Sequence, residues 1–263
     1  MLLVIDAGNT NIKLGIFNGD ELVFSWRMSV KVMRTADEMG ITMQNLFTTK
    51  GITFEDIDGI IMSSVSPSIN YTIEHACMHY MNIKPMMVGV GVKTGLNIKY
   101  ANPHEVGADR IVNSVAGYKL YGGPCIIVDF GTATTFNMIS DKGEFLGGAI
   151  APGIKTSLDS LVNNASKLMR IELNKPETII GKTTAHNMQA GTIYGFTGLV
   201  KFIVEKMKEE SGFPNAKVIA TGGLSELVTE VDSSIIDIID RYLTLKGLKI
   251  VYNMNNGNCG GNV

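Results

Sequence analysis

The chain has little with which to staple itself or bind a metal. Its three cysteines, Cys77, Cys125 and Cys259, show no paired spacing. That excludes a disulfide scaffold or a cysteine zinc site and suits a reducing compartment. Four histidines provide one helical i,i+4 pair, His75 and His79, without an acidic triad or a His-Glu-x-x-His pattern, so no metal site is expected there. Charge is also sparse. Only 18% of residues are charged, and 25 acidic against 23 basic side chains leave a formal charge of −2. Such a balance gives no general attraction to nucleic acid or to anionic lipid. No apolar run approaches the roughly 18 residues of a membrane span. The opening Met-Leu-Leu-Val-Ile-Asp has no basic n-region, so no signal peptide is expected, and the cytoplasm is the expected compartment.

Apolar residues and glycine are plentiful. Hydrophobic residues make up 45% of 263 positions, enough for one large core or two ordinary ones. The 29 glycines fall largely in tight clusters, where sharp turns or close approach to a ligand need a missing Cβ.

The pattern along the chain is α/β. Apolar runs at 2–6, 12–17 and 21–27, with an Asn18-Gly19 turn, predict an antiparallel meander. Helical spacing over 37–47 places Met39 and Met43 in a core. A strand at 59–63, a helix from 69 to 80, a strand within 85–92 and a helix over 108–120 follow. The second half opens as the first did. Strands at 124–129, 134–139 and 144–146 carry a turn at Asp141-Lys142-Gly143. Asp6 and Gly8 answer Asp129 and Gly131, and Gly19 answers Gly143 one residue out of step. This internal repeat of about 120 residues predicts two like lobes, 1–121 and 122–263, facing a shared cleft. Beyond it the sequence predicts a helix over 185–207, or two broken near Gly195 or Gly198. A strand at 216–220, helices at 227–231 and 235–242, a last strand at 248–252 and a frayed tail over 253–263 complete the reading.

Three clusters carry chemistry. In Asp6-Ala7-Gly8-Asn9-Thr10-Asn11-Ile12-Lys13 a carboxylate ends an apolar strand and is expected to emerge at its tip. The turn behind it offers backbone N–H groups as an anion nest, and Lys13 offers a point charge for phosphate. Asp129-Phe130-Gly131-Thr132-Ala133-Thr134 repeats the carboxylate, the glycine and the hydroxyls. Two such turns can hold successive phosphates of a nucleotide, with the carboxylates near a hydrated cation. Gly107-Ala108-Asp109-Arg110 opens a helix. There Asp109 is either a cap or a base for an attacking hydroxyl, and Arg110 can clamp a carboxylate. Gly147-Gly148-Ala149-Ile150-Ala151-Pro152-Gly153 reads as a loop close to ligand or as a lobe junction. Thr221-Gly222-Gly223 reads as bare backbone for an adenosine. Thr183 and Thr184 read as helix caps. These features suit a kinase of a small metabolite, or a nucleotide-gated regulator that has the turns but needs no base.

In combination the motifs resemble the type III pantothenate kinase family. The matching stretches are DAGNTNIKLG at 6–15, TGLNIKYANPHEVGADR at 94–110, DFGTATTF at 129–136, GGAIAPGI at 147–154, GKTTAHNMQAG at 181–191, TGG at 221–223 and LTLKGL at 243–248. The resemblance implies the two-lobed actin and sugar-kinase-like fold with a duplicated mixed β-sheet core. It implies ATP-dependent phosphorylation of pantothenate to 4'-phosphopantothenate, the first step of coenzyme A biosynthesis, by a cytoplasmic homodimer. By its motifs Asp6, Ala7, Gly8, Asn9, Thr10, Asn11, Ile12 and Lys13, with Thr132, would bind ATP. Asp109 would be the general base. Tyr100, Gly107, Ala108, Asp109, Arg110 and Thr184 would line the pantothenate site. Asp129 would hold a monovalent cation, potassium or ammonium, and magnesium would accompany ATP. The chain departs from the usual Asn-Thr at Thr183-Thr184 and from the usual Met-Gln-Ser-Gly at Met188-Gln189-Ala190-Gly191, and its tail after Tyr252 has no matching role.

Overall fold

A computed structural model describes residues 1–257. Cys259 and most of the tail expected to fray lie outside the described residues, and 253–255 end a helix. The chain divides into two compact units. One comprises Met1–Gly95, Asn102–Ala116 and the segment from Leu243 onward; the other comprises Leu96–Ala101 and Gly117–Tyr242. The division runs inside a helix, and the C-terminal segment returns to the first unit, so the units are not simple sequence halves.

The first unit is built on β1 (Leu2–Ala7), β2 (Asn11–Asn18), β3 (Glu21–Ser29), β4 (Gly59–Ser64) and β5 (Met86–Met87), in the order β3-β2-β1-β4-β5. β1 runs antiparallel to β2 and parallel to β4. Alternate side chains of β1 and β2 (Leu3, Ile5, Ile12 and Leu14 among them) enter one core. That core is closed by α1 (Ala36–Thr48) and α2 (Pro67–Met81), whose Met39, Met43, Phe47, Ile73 and Cys77 are all buried. The two methionines sit in the core as their spacing predicts. α1 starts at a capping box: Glu38 N–H donates to Thr35 Oγ1 at 3.2 Å, and Thr35 N–H donates to the Glu38 carboxylate at 2.8 Å.

The last strand expected over 248–252 is instead part of α7 (Leu243–Asn255). Lys249-Ile250-Val251-Tyr252 reads locally as β, but Leu245, Leu248 and Val251 recur every three residues and are all buried. Helical spacing therefore overrides local propensity. α7 covers the second face of the first sheet, where Gly15 gives room to Leu245 and Gly59 to the Tyr252 ring.

The second unit repeats the scheme. Its strands are β6 (Asn97–Ile98), β7 (Cys125–Phe130), β8 (Ala133–Ile139), β9 (Glu144–Pro152), β10 (Lys217–Gly222) and β11 (Ile238–Ile239), in the order β11-β10-β7-β8-β9-β6. β7 is antiparallel to β8 and parallel to β10, as β1 is to β2 and β4. Each meander carries a register shift late in its second strand, at Ile16/Phe17 and at Met138/Ile139. The helices of this half are α4 (Ile154–Asn164), α5 (Thr184–Ser211) and α6 (Ser225–Thr229), preceded by α3 (Ala108–Tyr121), in which the two units divide. Val200 and Val204 of α5 bury against Ile126, Val128 and Phe136.

Of the two readings of 185–207 the single helix holds, since α5 runs unbroken through Gly195 and Gly198; glycine costs only about 1 kcal/mol in a helix and removes no hydrogen bond. Several expectations need correction. Residues 235–242 give the short β11 instead of a helix, and 85–92 shrink to the two residues of β5. The glycine-rich stretch from 147 is neither loop nor junction. It continues β9, and Gly148 passes so close to the Phe136 carbonyl that no Cβ fits. Among the described residues no helix is long and apolar enough to cross a membrane.

Burial pushes the thiols of Cys77 and Cys125 up to about 12. Peptide mapping after iodoacetamide treatment at pH 8 should find both unmodified in the native protein and both alkylated in denaturant. Rapid native labelling of either would contradict their burial.

Candidate active site

Asp6 lies within β1, not at an open tip: it is 6% exposed. A buried carboxylate must be paired, and the register of three strands supplies its partners. Asp6 stands opposite Lys13 on β2 and opposite Ser63 on β4. Paired residues share a face of the sheet. Lys13 Nζ lies 3.2 Å from Asp6 Oδ2, and Ser63 Oγ donates to Asp6 Oδ1 at 3.0 Å. The turn beyond is closed by Gly8 N–H donating to the Asn11 carbonyl at 3.0 Å, and the Thr10 carbonyl accepts from Val30 N–H at 3.0 Å. Asn9 at its crest is exposed.

Asp109 reaches the same end of the first sheet. Val65, just past β4, donates its N–H to the Ala7 carbonyl at 3.0 Å. A Cβ on Gly107 would stand 3.5 Å from Val65 Cγ1 and only 2.6 Å from Asp109 Oδ1. The glycine therefore leaves space that the carboxylate uses. Asp109 Oδ1 accepts from Arg110 N–H at 2.8 Å, which orients it on the first turn of α3. α3 is held in turn by α7, where Gly247 lies directly against the Val112 carbonyl. Arg110 is 6% exposed, and Ser114 Oγ donates to its carbonyl at 2.8 Å.

The second unit assembles its own cluster. Asp129 is half-buried and stands opposite Thr135 on β8 and Thr221 on β10. Its turn is one residue shorter than the first: Phe130 pairs with Thr134, whereas Ala7 pairs with Ile12. The Thr132 carbonyl accepts from Gly153 N–H at 3.0 Å and from Thr156 Oγ1 at 2.7 Å. The start of α4 thus fixes the turn, a role that the sequence reading missed because it found no helix there. Tyr100 is half-buried beside Phe145, with ring centroids 6.2 Å apart. Thr183, not Thr184, caps α5, accepting from His186 N–H at 3.2 Å. Thr184 instead lines a mainly apolar groove of about 550 Å³ between α4 and α5, with Leu158, Leu161, Met188 and Leu199.

Ser63 was also missed. Met-Ser-Ser-Val matches no motif, and its signal is positional: a hydroxyl in a strand that is otherwise apolar, one pairing step from the carboxylate.

Two glycines separate function from stability. In Gly107→Ala the added methyl meets the movable end of Asp109. Turnover should fall about tenfold or more while the thermal midpoint shifts by only a few degrees. In Gly153→Ala the methyl meets fixed backbone, including the Thr132 carbonyl 2.6 Å away. That variant should lose about 1–3 kcal/mol of stability. Kinetics and thermal melts on both variants test the contrast, and equal losses of stability would refute it.

The profile of the type III pantothenate kinase family matches residues 2–206. A type III pantothenate kinase from Geobacillus sp. (strain WCH70) is 54% identical over 255 residues, which span 97% of this chain and 98% of that relative. One from Geobacillus thermodenitrificans (strain NG80-2) is 52% identical with the same coverage. Among solved structures, a Sinorhizobium meliloti protein with a provisional 2-dehydro-3-deoxygalactonokinase assignment aligns at a TM-score of 0.63 and 9% identity, over 100% of this chain and 99% of that one. The ethanolamine utilization protein EutJ from Carboxydothermus hydrogenoformans aligns at 0.54 and 14% identity, over 95% and 89%. These two structures share the fold of this chain, whose two units each carry a mixed sheet of matching topology. On profile and full-length identity together, the chain belongs to the type III pantothenate kinase family.

Proposed function

We infer that Asp109 is the base of a phosphoryl transfer to an alcohol. The chain is a type III pantothenate kinase: it moves the γ-phosphoryl group of ATP to the primary alcohol of pantothenate, giving 4'-phosphopantothenate and ADP, the first step of coenzyme A biosynthesis. A bond forms between the alcohol oxygen and phosphorus as the bond from phosphorus to the ADP oxygen breaks. The alcohol proton goes to Asp109.

The observation that carries this assignment is the placement of Asp109. Its carboxylate is oriented by Arg110 N–H, stands over a glycine, and belongs to the same sheet end as the Asp6–Lys13 pair. A base is needed only late in a loose phosphoryl transfer, so a correctly aimed carboxylate suffices. Arg110 holds the pantothenate carboxylate, for which guanidinium geometry is suited. Gly107, Ala108, Tyr100 and Thr184 line the rest of the pantothenate site. The turn from Asp6 to Lys13 holds ATP phosphates, and the hydroxyl of Thr132 is assigned to ATP as well.

The residues also fit the expected cations. Among the described residues no group of three or more His, Cys, Asp or Glu side chains converges. Magnesium would accompany ATP, held mainly by the nucleotide phosphates, and needs few protein carboxylates. A potassium or ammonium ion at Asp129 has the oxygens of Thr135 and Thr221 on the neighbouring strands. When bound, these cations offset phosphate charge. The homodimer implied by the family is part of the same proposal, and sedimentation at micromolar concentration would test it.

Purified chain should phosphorylate pantothenate with ATP, faster with potassium than with sodium or with neither. Asp109→Asn should lower kcat by about 100-fold or more while pantothenate affinity changes little. Near-wild-type turnover of that variant would remove Asp109 as the base. Absence of any pantothenate phosphorylation by the wild type would overturn the reading as a whole.

A further inference from the structure

We propose that Ser63 is a positioning residue for ATP binding, its hydroxyl keeping the buried Asp6 carboxylate hydrogen-bonded when Lys13 turns from Asp6 toward a nucleotide phosphate. The inference rests on the reading of the Asp6–Lys13 turn as a phosphate site.

Asp6 is 6% exposed and has two partners of different character. Lys13 approaches Oδ2 at 3.2 Å on a flexible stem, with a side chain 27% exposed. Ser63 donates to Oδ1 at 3.0 Å and is fully buried, fixed by the pairing of β1 with β4. An ammonium group drawn to a phosphate gives up part of its hold on the carboxylate. A buried charge that loses its partner is costly, and that cost would appear as weaker ATP binding. The serine stays in place, so the carboxylate remains solvated by the protein.

The surroundings favour this role over simple packing. Ile60, Ile61 and Met62, the three residues before Ser63, are each 1% exposed or less. A hydroxyl at the next position is costly to bury unless it is bonded. Its single proton is committed to Asp6. The neighbouring Ser64 serves local structure instead, donating to Asn70 Oδ1 at 2.5 Å and accepting from Ser66 N–H at 3.1 Å. The two adjacent serines therefore do different things, and only the first faces the site.

Three variants test the proposal. Ser63→Ala should raise both the KM and the Kd for ATP about tenfold, the size expected for one hydrogen bond to a charged group, with the KM for pantothenate within twofold of wild type. Ser63→Thr and Ser63→Val have nearly equal volume and differ by the hydroxyl, so they isolate it even if position 63 tolerates enlargement poorly. The threonine variant should bind ATP about tenfold more tightly than the valine variant. Equal ATP affinity in that pair, or parallel losses for ATP and pantothenate in the alanine variant, would overturn the role of Ser63. Wild-type enzyme assayed alongside separates the two failures. If it does not phosphorylate pantothenate, the kinase reading fails; if it does and the variants match it, only the role of Ser63 fails.

Discussion

A negative charge inside a β-sheet has to be matched by the strands on either side, and Asp6 sets that requirement for the first unit. Its neighbours are determined by register: a one-residue slip of β2 would send Lys13 to the opposite face, and a slip of β4 would remove Ser63. The apolar residues of the other face resist both slips, since Leu3, Ile5, Leu14 and Ile16 would then leave their core for the α7 side. Hydrophobic alternation and charge pairing thus enforce the same alignment. That agreement between levels is how a sequence holds a costly group in one geometry.

The duplicated architecture shows what is held fixed and what is free to vary. Both units place an aspartate on the strand that pairs antiparallel with the next strand of the meander and parallel with a later one. The flanking chemistry differs. Lysine and serine flank Asp6, and two threonines flank Asp129. A lysine neutralises its carboxylate. Threonine oxygens add acceptor capacity beside the carboxylate, which is the donor set of a hard cation site. One scaffold can therefore present an ammonium group in one copy and an oxygen cluster in the other, by choice of residue at equivalent pairing positions.

How much of this is legible in the sequence depends on the range of the signal. The meanders, both hairpin turns and helices α1, α2 and α3 follow from alternation, glycine turns and helical spacing, all local. The misread elements are those that tertiary contact decides. Residues 248–252 have β-favouring side chains, yet they form a helix because their apolar residues, at helical spacing, cover the first sheet. Residues 147–152 look like a loop by glycine content. They form a strand because β8 accepts them at very close range. The motif aspartates were visible as motifs, but their burial and partners were not. Ser63 shows why: its meaning lies in the strand beside it, 57 residues away in sequence.

Asp109 is the residue that the sequence left open between a helix cap and a catalytic group. Its Oδ1 does accept a backbone N–H of the first turn, as a cap would. One such bond does not exhaust a carboxylate, which offers about four acceptor directions. The contact also removes rotational freedom from the side chain, as the proposed role of base would require. Gly107 completes the arrangement from the other side, since any larger residue would press on the same oxygen. An aspartate serving only as a cap would need no cleared space behind it. The glycine and the backbone bond together are in keeping with the proposed role of Asp109 as a base.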